Sequence, residues 1–90
     1  IGDNVSIAHQ SSLISFDFDI NNSDMPLKYS QMRKKPIVIG DDIMIFSGVR
    51  VFAGVTLAPR TVVAANAVVR AGDYKPGVYA GLPAEWKKPL

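Results

Sequence analysis

From Ile39 onward an aliphatic residue returns at every sixth position, at Ile39, Ile45, Val51, Leu57, Val63 and Val69. Neither a helix of 3.6 residues per turn nor the two-residue alternation of a lone strand calls for that spacing. A small or β-branched residue follows four places after each of the first five, at Ile43, Val49, Val55, Thr61 and Ala67. The beginning of the chain is in the same frame, with Ile1, Ile7 and Leu13 as the aliphatic set and Val5 and Ser11 as its companions. Nine hexapeptides in 90 residues are too many for coincidence, and self-similarity at a fixed period marks a solenoid.

Each hexapeptide supplies a short strand and a corner, and three of them complete one coil of a three-sided prism. Residues eighteen apart then stack: Ile39 under Leu57, Ile45 under Val63 and Val51 under Val69. Their spacing is that of adjacent parallel strands, roughly 4.8 Å. The expected fold is therefore all-β, a parallel β-helix filled by aliphatic columns. Corners need tight backbone, which accounts for Gly2-Asp3-Asn4, Gly40-Asp41-Asp42 and Gly54, and makes those carboxylates turn residues rather than catalytic ones.

The repeat lapses between Asp19 and Pro36, where Asn21-Asn22-Ser23-Asp24, Pro26 and the basic run Arg33-Lys34-Lys35 replace the aliphatic pattern. So long an interruption in a compact domain reads as an inserted loop, either functional or disordered. The expected organisation is one domain: a first coil over 1–18, the loop over 19–36, further coils over 37–71 and a capping tail over 72–90. A tail is needed because the bare end of a parallel β-helix exposes strand edges.

Composition narrows the function classes. Ten basic and eight acidic residues give a net charge of +2 with no basic stripe, which argues against nucleic acid as a partner. No apolar run is long enough to span a bilayer. The absence of cysteine excludes disulfides, thiolate metal sites and a cysteine nucleophile, and fits a cytoplasmic protein. A zinc hydratase needs about three histidine ligands per site, and His9 is the one histidine, so no metal site is expected. Walker-type and dinucleotide-binding glycine motifs are absent. The chain opens inside a repeat without Met, so upstream residues are expected to be missing.

The stretch from Ile39 to Val69, followed by Gly81-Leu82-Pro83-Ala84 and basic residues, resembles the final coils of the hexapeptide-repeat acyltransferases. Residues 15–27, from Ser15-Phe16-Asp17-Phe18-Asp19-Ile20 to Pro26-Leu27, resemble the excursion loop of the sugar O-acetyltransferase branch, which includes the maltose, galactoside and colanic-acid enzymes. The resemblance covers nearly the whole chain as the carboxyl-terminal part of such an enzyme. It implies left-handed coils, a homotrimer with sites between subunits, acetyl-CoA as co-substrate, and a sugar or glycan-precursor hydroxyl as acceptor.

The resemblance also assigns residues. The family histidine that deprotonates the acceptor falls on Phe18, which cannot accept a proton, with Asp19 in the place of the following Asp. The candidates for the base are then His9, Asp19 and Asp17. For the coenzyme, Ser47, Ala64 and Ala65 stand where small residues let pantetheine approach the backbone, and Arg70, Lys87 and Lys88 are candidates for the phosphates. Phe46 and Phe52 occupy places where small residues are common and are expected to pack between subunits or line the groove, while Met44 stands where an aromatic is often found. Two other functions fit the residues: a β-helical assembly subunit that lost its base at Phe18, and an N-acetyltransferase, since a neutral amine is already nucleophilic.

Overall fold

In the computed structural model, which describes residues 1–21 and 24–90, the chain is a three-sided parallel β-helix with one antiparallel excursion. Asn22 and Ser23, part of the polar run read as loop, lie outside the described residues. Wall A stacks β1 (Val5–Ile7), β6 (Ile43–Ile45), β9 (Thr61–Val63) and β12 (Gly77–Ala80). Wall B stacks β2 (Ser12–Leu13), β7 (Arg50–Val51) and β10 (Val68–Val69), and wall C stacks β5 (Val38–Ile39), β8 (Val55–Leu57) and β11 (Gly72–Tyr74). All pairings within these stacks are parallel.

The register is the one the period of six requires. Ile39 pairs with Leu57, Ile45 with Val63, and Val51 with Val69. Below them Ile7 meets Ile45 and Leu13 meets Val51, across the inserted segment. The inward residues of the upper coils, with Val49, Val55 and Ala67, form one buried cluster. In the first coil, by contrast, Ile1, Ile7 and Leu13 are 77%, 38% and 38% exposed.

Corners are made by a left-handed backbone residue that recurs every six positions, at Asn4 and Gln10 and then at Asp42, Gly48, Gly54, Arg60, Asn66 and Gly72. Asn and Asp tolerate this conformation because their short side chains bond locally. Arg60 and Gln10 lack that help; Arg60 is held by an ion pair to Asp42, Nη1 to Oδ2 at 2.8 Å, one coil away on the same corner. The turn carboxylate Asp41 accepts the Asp3 N–H at 2.8 Å, again between coils.

The segment read as an inserted loop over 19–36 is largely an antiparallel ribbon. Its strands are β3 (Phe16–Asp19) and β4 (Gln31–Lys34), joined through a 3-10 turn at Leu27–Tyr29. The ribbon thus starts at Phe16, three residues before the position at which the aliphatic period was seen to lapse. Phe16 pairs with Lys34 and Phe18 with Met32 on one face, and Asp17 with Arg33 and Asp19 with Gln31 on the other.

At the far end the coils tighten. Leu57 pairs with Tyr74, seventeen residues on, and Val63 with Tyr79, sixteen on, so the six-residue frame is lost where tyrosines replace aliphatic residues. The two rings pack edge to face, 5.0 Å apart. Strand β13 (Glu85–Lys88) then pairs antiparallel with β12 and covers the edge of wall A, while the Ala84 N–H donates to the Val68 carbonyl over wall B. Trp86 fixes this strand by donating Nε1–H to the Pro76 carbonyl at 3.1 Å, with the Lys75 ammonium 4.2 Å from its ring centre.

Tyr79 is buried, and its hydroxyl donates to the Lys75 carbonyl at 2.8 Å. Burial raises its pKa above 10.0, because the phenolate would lose hydration. A phenol whose pKa is higher folded than unfolded leaves stability intact below the unfolded value and removes it as pH rises from there through the folded value. The chain is therefore expected to lose stability above pH ~10. Tyr79→Phe should cost about 1 kcal/mol at neutral pH and flatten the alkaline fall, as read by urea midpoints at a series of pH values; an unchanged alkaline slope would assign it to other groups.

Candidate functional site

The corner between walls A and B gathers three of the residues singled out from sequence. The Gly48 N–H donates to the His9 carbonyl and the Asn66 N–H to the Ser47 carbonyl, so His9, Ser47 and Ala65 stand one above another, each just before a left-handed residue. Ala64 precedes Ala65 at the end of wall A and stacks over Phe46, which stacks over Ala8. Among the described residues the amide N–H groups of Ser47 and Ala65 have no hydrogen-bond partner, and the Ala65 carbonyl accepts none. Ala65 and His9 are exposed and Ser47 is half-buried, so these polar groups face solvent along a strip free of bulky side chains above His9. The His9 imidazole likewise makes no hydrogen bond among the described residues.

The other candidates are placed elsewhere on the chain. Asp17 is engaged by Arg33, Nε to Oδ1 at 2.9 Å, on the polar face of the ribbon. Asp19, on the same face, accepts the Asn21 N–H at 3.1 Å in a local turn. Phe18 lies on the opposite, apolar face and packs edge to face on Phe16, with ring centres 5.9 Å apart. The ribbon leaves the prism between walls B and C, so within one copy neither carboxylate is on the corner that holds His9.

Arg70 ends wall B in an exposed column above Phe52 and Ile14. Lys87 and Lys88 lie on β13, over the edge of wall A, with Lys88 paired to Val78. The proposed phosphate contacts thus occupy two further places, and a single copy does not bring them to the Ser47–Ala65 strip. Ser11, not singled out as functional, helps set that strip: its hydroxyl donates to the Phe46 carbonyl at 2.9 Å and accepts the Val49 N–H at 3.3 Å. A serine in an inward companion position of the repeat was the available signal. Among the described residues no group of three His, Cys, Asp or Glu comes together, and no helix is long and apolar enough to cross a membrane.

The repeat and the wall register define a parallel β-helix of the hexapeptide-repeat class, left-handed as in the hexapeptide-repeat acetyltransferases whose fold it shares. No family model matches the chain, and no curated protein sequence matches it significantly. Solved structures do. A hexapeptide-repeat-containing acetyltransferase of Vibrio cholerae O1 biovar eltor, complexed with acetyl coenzyme A, is 33% identical with a TM-score of 0.80; the match covers 92% of this chain and 44% of that one. A maltose O-acetyltransferase of Clostridium difficile 630 is 26% identical with a TM-score of 0.85, over 97% and 46% of the two chains. A galactoside acetyltransferase in complex with coenzyme A is 30% identical with a TM-score of 0.80, over 92% and 40%. The chain spans less than half the length of each.

Proposed function

We propose that the chain forms the coenzyme-binding coils of an acetyltransferase that moves an acetyl group from acetyl-CoA to a hydroxyl of a sugar or glycan precursor, working as a homotrimer. One observation carries this reading: the Ser47–Ala65 strip, where solvent-facing amides without protein partners sit among the small side chains of Ser47, Ala64 and Ala65, with exposed Phe46 beside them. A pantetheine arm carries two amide groups of its own and needs such donors and acceptors at close approach. The three acetyltransferase structures above, two of them complexed with coenzyme A or its acetyl form, support the assignment.

In the reaction, the acceptor oxygen forms a bond to the thioester carbonyl carbon as its proton passes to a base. The C–S bond then breaks and the departing sulfur takes the proton, leaving an acetyl ester and free coenzyme A. His9, on the same corner as Ser47 and Ala65, is the base in this proposal. Arg70, Lys87 and Lys88 are the phosphate contacts, with Arg70 the principal one because a guanidinium binds phosphate in a fork.

Calorimetry with acetyl-CoA tests the reading. The chain should bind at micromolar concentrations, and Arg70→Ala should weaken binding about tenfold, the worth of one charge-assisted contact. Absence of binding would leave the alternative of a β-helical assembly subunit. A second acceptor class, an amino sugar, is favoured by Phe18 standing where a base is expected, and comparing hydroxyl and amine acceptors in one assay separates the two.

A further inference from the structure

The cationic side chains of this protein divide into those the chain itself occupies and those it leaves open. Arg33 and Arg60 are held by Asp17 and Asp42. Arg50 donates to the Gln10 and Val49 carbonyls, and the Lys28 and Lys75 ammonium groups lie over the Tyr29 and Trp86 rings. Among the described residues the side chains of Lys34, Lys35, Arg70, Lys87 and Lys88 have no such partner. Lys34 stands on the ribbon, and Lys87 and Lys88 stand on β13 over wall A. Lys35 and Arg70 are the two that share a corner, the one between walls B and C.

The backbone brings Lys35 there. Its N–H donates to the Ser15 carbonyl at 2.9 Å and closes the root of the ribbon, where the chain re-enters the prism. From that point its stem passes Gly54 in the next coil: a methyl group in place of the glycine hydrogen would lie 3.9 Å from the Lys35 Cβ and 3.6 Å from its Cδ. The same methyl would lie 3.4 Å from the Cβ of Ala71, one coil further on. The Lys35 stem and Ala71 thus both border Gly54, and Arg70 adjoins Ala71, their Cα atoms ~3.8 Å apart across one peptide. Two long, exposed cations therefore start within reach of one point outside this corner. Asp73, on wall C beside Thr56, forms an ion pair with neither. Like charges at one corner repel, and an anion between them converts that repulsion into binding. The corner is also remote from the Ser47–Ala65 strip: Ala65 and Arg70 are five residues apart along wall B, ~17 Å at full extension.

We propose that Lys35 and Arg70 clamp the 3′-phosphate of the coenzyme, which makes Lys35 a residue that selects coenzyme A over its dephospho form. This rests on the coenzyme reading above and adds a phosphate ligand from the root of the ribbon. A phosphate monoester carries a charge of about −1.5 to −2 at neutral pH, close to one for each cation. Each phosphate of the pyrophosphate carries a single charge and is bonded on both sides, so it matches a converging pair less well. Arg70 supplies a planar fork and Lys35 a point charge, and the two can share one phosphate without competing for the same oxygen.

Calorimetry on the unmodified chain, Lys35→Met, Lys35→Arg and Lys34→Met tests it, with coenzyme A and 3′-dephospho-coenzyme A as the two probes. Far-UV circular dichroism verifies that each variant retains its β-helix; Lys35 is exposed, and methionine keeps an unbranched stem beside Gly54 while removing the charge. The unmodified chain should bind coenzyme A about tenfold or more tightly than the dephospho form, the worth of a charge-assisted contact. Lys35→Met should weaken coenzyme A about tenfold and dephospho-coenzyme A less than about twofold, and Lys35→Arg should recover most of the loss. Lys34→Met removes the same charge one residue away and should leave both affinities within about twofold. Equal weakening of both probes by Lys35→Met, no weakening at all, or an equal loss in Lys34→Met would each overturn the clamp. Binding of both probes with equal affinity by the unmodified chain would remove the clamp and leave the coenzyme reading standing, whereas binding of neither would bring down both.

Discussion

Leu57→Ala is expected to lower the unfolding free energy by about 3 kcal/mol, within the ~2–5 kcal/mol range for a buried leucine cut to alanine. Leu57 is 1% exposed and sits at the middle of the column that runs from Ile39 to Tyr74, with a paired residue above and below it. A β-helix collapses poorly around a hole, since each wall is pinned by hydrogen bonds to the coils on either side; the cavity term therefore stays close to its full value. A loss of this size is a large share of the stability of a small domain. Urea unfolding should show a lower midpoint with an unchanged slope, as expected when stability alone is altered. Thr56→Ala, one residue away on the outer side of wall C, should change stability by less than about 0.5 kcal/mol. Equal losses at the two positions would mean that Leu57 does not point into the prism.

The period of six carried most of the architecture because it states a register directly. Ile39 under Leu57 and Val51 under Val69 follow from counting eighteen, and the structure has those pairs. The count stops working where the chemistry changes. Tyr74 and Tyr79 fill the last coil with rings whose hydroxyls reach carbonyls four residues back, at Arg70 and Lys75, and the intervening corners shorten to suit. The ribbon had a legible signal too, the strict alternation Phe16-Asp17-Phe18-Asp19 of a two-faced strand, but the polar run beyond it dominated the reading. Left-handed corners were visible at Asn4, Asp42 and Gly54 and hidden at Gln10 and Arg60, whose side chains carry no turn preference. The candidate corner was the least legible part. His9 meets Ser47 across thirty-eight residues, eighteen for the coil and twenty for the excursion, and that number emerges only once the strands on both sides of the excursion are paired.

His9→Ala is expected to reduce acetyl transfer by ~10²–10⁴-fold, the usual contribution of a general base, while acetyl-CoA affinity stays within about twofold. Three observations support the role proposed for it. His9 shares a corner with Ser47 and Ala65, its imidazole is exposed and unengaged, and it can therefore take a proton without breaking an existing contact. The carboxylates are already occupied: Asp17 by the Arg33 guanidinium and Asp19 by the Asn21 amide. Each bond engages one oxygen of its carboxylate, and both side chains lie on the ribbon, off the corner that holds His9. Phe18, at the position where the resemblance expects a histidine, has no proton-accepting atom. The assay follows coenzyme A thiol release with a sugar acceptor, and calorimetry reads affinity in parallel. Asp19→Ala should stay within a few-fold of the unmodified chain. Full turnover in His9→Ala would remove His9 from the reaction, and loss in Asp19→Ala instead would move proton transfer to the ribbon. If both variants keep their rate on an amine acceptor and the unmodified chain ignores hydroxyls, the acceptor is an amine that needs no base, and the empty chemistry at Phe18 is then consistent with the reaction.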